Sequence, residues 1–352
     1  MAIANTVQNA TELRSAIHAC THDRSLQVLD LGAVLEKFID TNGDRMIRHL
    51  QGDCGITPLA ADLVAMTERR RTALDADLIT ASLTAALRPI DRGLLIAAVS
   101  SLLATDSANS EGCPVLVTST QLVEAGVNLS FNQVFRDFAP IPNLAQAAGR
   151  CNRSFEAGHG RVTLWRLGSP AHHRPPAELI YARGGDRLTP TTVALGHIES
   201  GGGPIPEFEL ITNGIEKYYE ILHAADHRTH DRDSLVQAYR RARGETLREA
   251  SLIDEQSADV LVVRTAAEGA VLRQYLSEKV AKKFETGRSA MIALQQLFAS
   301  VPKDRVDQLD ESAAIVSDMG FEADVLDEFA VIDDRDRSRY LLPSGAGLRQ
   351  ID

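Results

Sequence analysis

The arrangement of apolar runs along the first half of the chain constrains the fold more than any other feature. Short runs rich in branched residues fall at 26–31, 76–83, 113–118, 133–138 and 160–167, and a further one opens the chain at 2–5. Between them the spacing is helical: Ala10, Leu13 and Ile17; Val34, Leu35 and Phe38; then Leu94, Leu95, Ala98, Val99, Leu102 and Leu103 after Pro89, a residue suited to a first helical turn. Buried strands alternating with helices predict a parallel sheet covered on both faces. Residues 41–75 read as a helical insertion into this α/β unit. The opening strand has almost nothing before it, whereas a central parallel strand usually runs to about five residues. That predicts an upstream part that is lost or separately encoded.

After Gly168 the texture changes. Proline- and glycine-rich stretches at 172–176, 184–185 and 201–204 mark loops, helical patterns fall at 213–224, 233–248 and 271–298, and strand-like runs fall at 259–264 and 340–342. The expected organisation is a first α/β domain over 1–168 and a smaller mixed α/β accessory domain over 169–352. The net charge of −11 argues against a nucleic-acid partner only until it is divided. Residues 1–167 carry 15 Lys and Arg against 17 Asp and Glu, and the remainder carries 22 against 31. A near-neutral first half can still present a local basic groove. Aromatics make up only 5% of the chain, so a strand would be held through its backbone rather than by stacked bases.

One stretch stands out chemically. Residues 146–153 read Gln-Ala-Ala-Gly-Arg-Cys-Asn-Arg; as a helix they place Gln146, Gly149, Arg150 and Arg153 on one stripe. Two guanidiniums beside a glycine suit a triphosphate bound across an interface, because guanidinium forks match phosphate oxygens and never lose their charge. A solvated helix face with two ordinary arginines is the plainer alternative. The basic run Arg69, Arg70 and Arg71 divides in the same way, between a solvated face and a phosphate contact.

The stripe is preceded by Ser-Thr-Gln-Leu-Val-Glu-Ala-Gly-Val at 119–127, directly after the 113–118 strand, and by Arg136, Asp137, Phe138, Ala139 and Pro140. Together these segments resemble motifs V and VI of superfamily 2 helicases, and more closely the CRISPR-associated helicase-nuclease of type I systems. The resemblance covers roughly residues 2–167, with Asn5, Thr6 and Val7 where the family has motif IV. It implies the second RecA-like domain of an ATP-driven translocase on single-stranded DNA, recruited by an RNA-guided surveillance complex. Arg150 and Arg153 would then be arginine fingers, Gln146 would orient phosphates or the attacking water, and Gly126, Asn128 and Gly149 would lie by the nucleotide. Asn128 departs from the family's usual Asp and brings no charge to the ribose. Asn5, Thr6, Ser82, Thr84, Thr118 and Gln121 would contact the DNA backbone, short polar groups at strand ends that bind phosphates without reading bases.

The chain contains no Gly-Lys dipeptide and hence no phosphate-binding loop of the Gly-x-x-x-x-Gly-Lys type. Asp254 and Glu255 imitate the acidic magnesium motif only faintly. The reading is therefore a C-terminal half whose ATP cradle, Mg2+ site and nuclease domain belong to a missing N-terminal part, and which alone does not hydrolyse ATP. His223, His227 and His230 have a metal-capable spacing, but three histidines at a polar helix end are more often solvated, and no metal is expected. Four cysteines without a CxxC pair fit a reduced, cytoplasmic protein, and no apolar run approaches a membrane span. Two rivals remain at this point: a fragment of another superfamily 2 enzyme acting on DNA or RNA, and a non-catalytic nucleic-acid-binding remnant.

Overall fold

All six apolar runs of the first half become strands of one sheet. In the computed structural model β1 (Ala2–Ile3), β2 (Val28–Asp30), β3 (Leu78–Leu83), β4 (Val115–Ser119), β5 (Gln133–Asp137) and β6 (Arg161–Trp165) lie in the order β2-β3-β4-β1-β5-β6, every pair parallel. The structure describes residues 1–50, 52, 55–108, 113–124, 126–153, 160–168, 174–182, 186–199, 203–225, 257–262, 265, 267–272, 274, 292–302 and 330–331. β1 is shorter than the four residues expected, yet it is central: Ile3 pairs with Ser119 on one side and with Arg136 on the other.

Parallel strands need crossovers, and helices supply them. These are α1 (Val7–Asp23), α2 (Leu31–Leu50), α3 (Ile56–Leu74), α4 (Pro89–Ala108) and α5 (Ile141–Ala148). Thr6 caps α1 by accepting a hydrogen bond from the Asn9 amide at 3.1 Å. On α4 the expected apolar face is the buried one, with Leu94, Leu95, Ala98, Val99 and Leu102 all in the core. Burying each leucine or valine there contributes about 1.5–3 kcal/mol.

The helix read through Val34, Leu35 and Phe38 runs on past residue 41 as α2, and α3 completes the helical stretch read over 41–75. α2 kinks at Asn42, where φ is −125° and ψ is 19°. The cause is local: Thr41 Oγ1 donates to the carbonyls of Lys37 and Phe38, and Asn42 Nδ2 donates to Phe38 O at 3.0 Å. Side-chain donors at carbonyls one turn back compete with the helical ladder and bend it.

Past residue 168 the chain forms α6 (Pro176–Tyr181), α7 (Leu188–Ile198), the single turn α8 (Glu207–Glu209), a π-turn at Leu210–Gly214 and α9 (Ile215–Ala225). The loop signals gave no hint of α6 and α7. A second sheet has the order β8-β7-β9, with β7 (Ser257–Leu261) antiparallel to β8 (Phe298–Pro302) and parallel to β9 (Ala330–Val331). Phe298 therefore opens a strand instead of closing the helix read over 271–298. The patterns at 233–248 and 340–342 lie outside the described residues, as do Asp254, Glu255, His227 and His230. Among the described residues no helix is long and apolar enough to cross a membrane.

The second sheet is joined to the first. One apolar cluster contains Leu83, Leu94 and Leu95 together with Val262, Leu272, Leu294 and Leu297. Beside it Arg88, fully buried, donates to Asp91 through Nε and Nη2 (2.7 and 3.0 Å), to Glu268 through Nη1 (2.8 Å) and to Val262 O (2.8 Å). Glu268 and Thr265 form a reciprocal cap: the Glu268 amide donates to Thr265 Oγ1 at 3.2 Å, and the Thr265 amide to Glu268 Oε2 at 3.4 Å. One carboxylate thus caps a helix and pairs with a buried cation.

Candidate functional site

Ligands of open parallel sheets bind beyond the carboxyl ends of the strands, near the point where strand order reverses. Here the register brings Leu83, Ser119, Ile3 and Arg136 level, so that Thr84, Thr120, Asn5 and Asp137 gather just past them. The centre of this edge is Arg136, fully buried. Its Nη1 donates to Asn5 Oδ1 (2.7 Å) and to Asp137 O (2.8 Å), and its Nη2 to the Tyr181 hydroxyl (3.3 Å). Its Nε lies 2.7 Å from Glu124 Oε1, a charge contact without hydrogen-bond alignment. Burial pushes the Glu124 carboxyl above its ordinary value, with Arg136 and the Asn143 amide opposing the shift. Asp137 is likewise raised by burial, against hydrogen bonds from the Leu167 and Phe138 amides.

The loop after β4 wraps over this network. A short turn at Gln121–Val123 leads to Gly126, whose φ of +73° is a conformation that side-chain-bearing residues rarely adopt. Arg150 anchors the loop from below: Nη2 donates to Glu124 O at 2.8 Å and Nη1 to Val127 O. Arg153 Nη1 reaches the same Val127 carbonyl at 3.5 Å. Arg150 is buried and its affinity for a proton is lowered, first by burial and then by the charge of Arg153. Two cations thus converge on one carbonyl.

The stripe over 146–153 is not one helix. α5 ends at Ala148, Gly149 forms its C-cap, and Asn152 turns back with a φ of +50° so that its amide donates to Phe131 O at 2.9 Å. Two parallel-bridge hydrogen bonds to Phe131 outcompete the next helical turn. Gln146, Gly149 and Arg153 are exposed, as are Gly126 and Asn128. A Cβ at Gly149 would make only ordinary contacts with α5 carbonyls, so nothing among the described residues requires glycine there.

The residues read as DNA contacts all lie on the carboxyl edge, in two groups. Asn5, Ser82, Thr84 and Thr118 are buried. Asn5 spends its amide on Asp137 Oδ2 (2.7 Å) and Phe138 O (2.8 Å), and Thr118 Oγ1 donates to Ala81 O (3.4 Å). Thr6 and Gln121 are partly exposed. Gln121 Nε2 donates to Asn5 O (3.0 Å) and to Tyr181 Oη (3.1 Å). Residues missed from sequence were Glu124, Arg136 and Tyr181. The available signal was Arg136-Asp137 closing an otherwise apolar strand, since charge at the end of a buried strand demands a partner. His223 is exposed near the end of α9.

The family model for "CRISPR-associated nuclease/helicase Cas3, C-terminal" matches residues 59–156. The CRISPR-associated nuclease/helicase Cas3 of Haloferax volcanii is 28% identical over 337 residues, which is 90% of this chain and 34% of that protein. The chain thus spans about a third of the length of the curated relative it matches. The crystal structure of T. fusca Cas3 overlaps 74% of this chain and 32% of its own, at 16% identity and a TM-score of 0.42. T. fusca Cas3-ATP overlaps 81% and 36%, at 14% identity and the same TM-score of 0.42. By sequence, this chain is similar to the C-terminal part of the CRISPR-associated nuclease/helicase Cas3.

Proposed function

We propose that the chain is the C-terminal half of an ATP-dependent single-stranded DNA translocase of type I CRISPR antiviral defence. The observation that carries this reading is the convergence of Arg150 and Arg153 on the Val127 carbonyl. It ties the end of α5 to the loop after β4, the two segments that carry the resemblance to motifs VI and V. ATP, cradled with Mg2+ by the missing N-terminal half, supplies the phosphoanhydride that drives movement. The residues present fit it unequally. Gln146, Gly126, Asn128 and Arg153 are exposed and can meet a nucleotide without rearrangement, and Gly149 leaves room at the end of α5. Arg150 must first leave two neutral carbonyls. That exchange is favourable once phosphate oxygens are near, because hydrogen bonds to charged acceptors are roughly twice as strong.

Release of Arg150 frees the carbonyls of Glu124 and Val127, and so loosens the loop that lies over Asn5 and Arg136. Nucleotide engagement is thereby coupled to the strand ends where DNA runs. Thr6 and Gln121 contact the backbone of the strand, while the buried Asn5, Ser82, Thr84 and Thr118 fix the edge from beneath. The partners are single-stranded DNA, the N-terminal helicase half with its nuclease domain, and an RNA-guided surveillance complex. The test is ATP hydrolysis with single-stranded DNA, by the chain alone and with the N-terminal half added. The chain alone gives none, the mixture gives DNA-stimulated turnover, and Arg150→Ala lowers that turnover by about 10³- to 10⁵-fold. Turnover by the purified chain alone, or full turnover by the Arg150→Ala mixture, overturns the reading.

A further inference from the structure

A cavity of about 470 Å³ lies between α2 and α3, with the kink residue Asn42 in its wall, far from the loop after β4 in sequence. Both walls follow from helical spacing: Phe38, Asn42 and Arg45 recur at i, i+4 and i+7 on α2, and Asp62, Met66, Arg69 and Arg70 recur at i, i+4, i+7 and i+8 on α3. Three guanidiniums and one carboxylate line the same space, in a chain whose net charge is −11. Asp62 is engaged by Arg45 at 2.6 Å, and Arg45 is also held by Asn42 Oδ1 at 3.3 Å. Among the described residues Arg69 spends only its Nε, on Ala65 O at 3.1 Å. Among the described residues no hydrogen bond or ion pair holds Arg70. The cavity therefore has free guanidinium donors at its rim and an apolar floor of Phe38 and Met66, within the roughly 300–1,000 Å³ range of small-ligand sites.

We propose that this cavity binds one nucleotide unit, with its phosphate between Arg69 and Arg70 and its sugar or base against Met66 and Phe38. The inference rests on the reading of the chain as half of a nucleic-acid translocase, and it adds a contact remote from the strand-end edge. The shared chemistry is a nucleotide phosphate; the source is either a single strand or a free mononucleotide. Arg45 is the reserve ligand, held back by Asp62 until a stronger anion arrives.

Fluorescence anisotropy of a labelled oligothymidylate, titrated with the full chain over a range of salt, tests this, with thymidine monophosphate as competitor. The double variant R69A/R70A weakens binding at least several-fold and flattens the plot of log affinity against log salt by about 0.7, the loss of one neutralised phosphate on a single strand. Asp62→Asn, which releases Arg45, tightens binding. Efficient competition by the monophosphate assigns the site to a free nucleotide; competition only by unlabelled strand assigns it to DNA. Unchanged affinity and salt slope in R69A/R70A, weakened binding in Asp62→Asn, or no binding of either probe by the wild-type chain overturns the inference. None of these outcomes touches the ATP-hydrolysis test, which reads Arg150 and requires the other half.

Discussion

Arg88→Ala removes the cation at the junction of the two sheets, and the structure sets the size of the effect. The guanidinium makes two hydrogen bonds to Asp91, one to Glu268 and one to the Val262 carbonyl, all with Arg88, Asp91 and Glu268 at 0% exposure. The alanine leaves two carboxylates buried beside a cavity. Breaking a buried ion pair by removing one partner costs about 3–5 kcal/mol, a large share of the roughly 5–15 kcal/mol by which folded proteins are stable. Urea unfolding followed by circular dichroism reads the loss as a midpoint lower by about 1–2 M, for a slope of about 2.5 kcal/mol per molar urea. Amide exchange over 292–302 accelerates more than over β3 and β4, because the latch and not the first sheet is cut. Replacing all three charges together, Arg88→Met with Asp91→Asn and Glu268→Gln, recovers more than half of the loss, since no charge is then stranded. If Arg88→Ala costs under about 1 kcal/mol, as an exposed pair would, the latch argument fails.

Two further outcomes follow from the strand-end network. Because burial raises the Glu124 carboxyl above its ordinary 4.5, the folded chain keeps a proton that the unfolded chain has released. Its contribution to stability is full in acid and is lost as pH rises from 4.5 through the folded value, so Glu124→Gln gains on the wild type in urea unfolding between pH 4 and 7; a flat or opposite trend means that Arg136 outweighs burial. Gly126→Ala meets no atom within 4 Å, so its cost is the backbone strain of a positive φ alone, about 1–2 kcal/mol. A variant as stable as wild type in thermal unfolding refutes that account.

The sheet was legible because apolar strands cannot be hidden in a sequence: all six runs became strands, and Pro89 starts α4 as its chemistry requires. Where the reading slipped, a local preference yielded to a distant partner. The stripe at 146–153 has sound helical spacing, yet the chain turns at Gly149 because Phe131 offers Arg150 O and the Asn152 amide two hydrogen bonds. The kink at Asn42 was encoded in Thr41 and Asn42, but the cavity beside it depends on where α3 lies. α6 escaped notice because six residues carry too little periodicity, although Tyr181 reaches the centre of the edge. Glu124 and Arg88 are ordinary charged residues in the sequence, and the Arg136-Asp137 pair at a strand end announces that a partner is needed without saying which. Only their shared burial gives them roles, and no spacing rule encodes a meeting of residues so far apart.

Gly43, one step past the α2 kink, lies against Thr265: a Cβ at that position would sit 3.3 Å from three Thr265 side-chain atoms. Thr265 is the turn whose amide binds Glu268, and Glu268 holds Arg88. The bend of α2 and the junction between the sheets therefore share a fulcrum. A side chain at residue 43 would have to displace Thr265 by a few tenths of an ångström, and that strain would fall on the turn that holds Glu268 against Arg88.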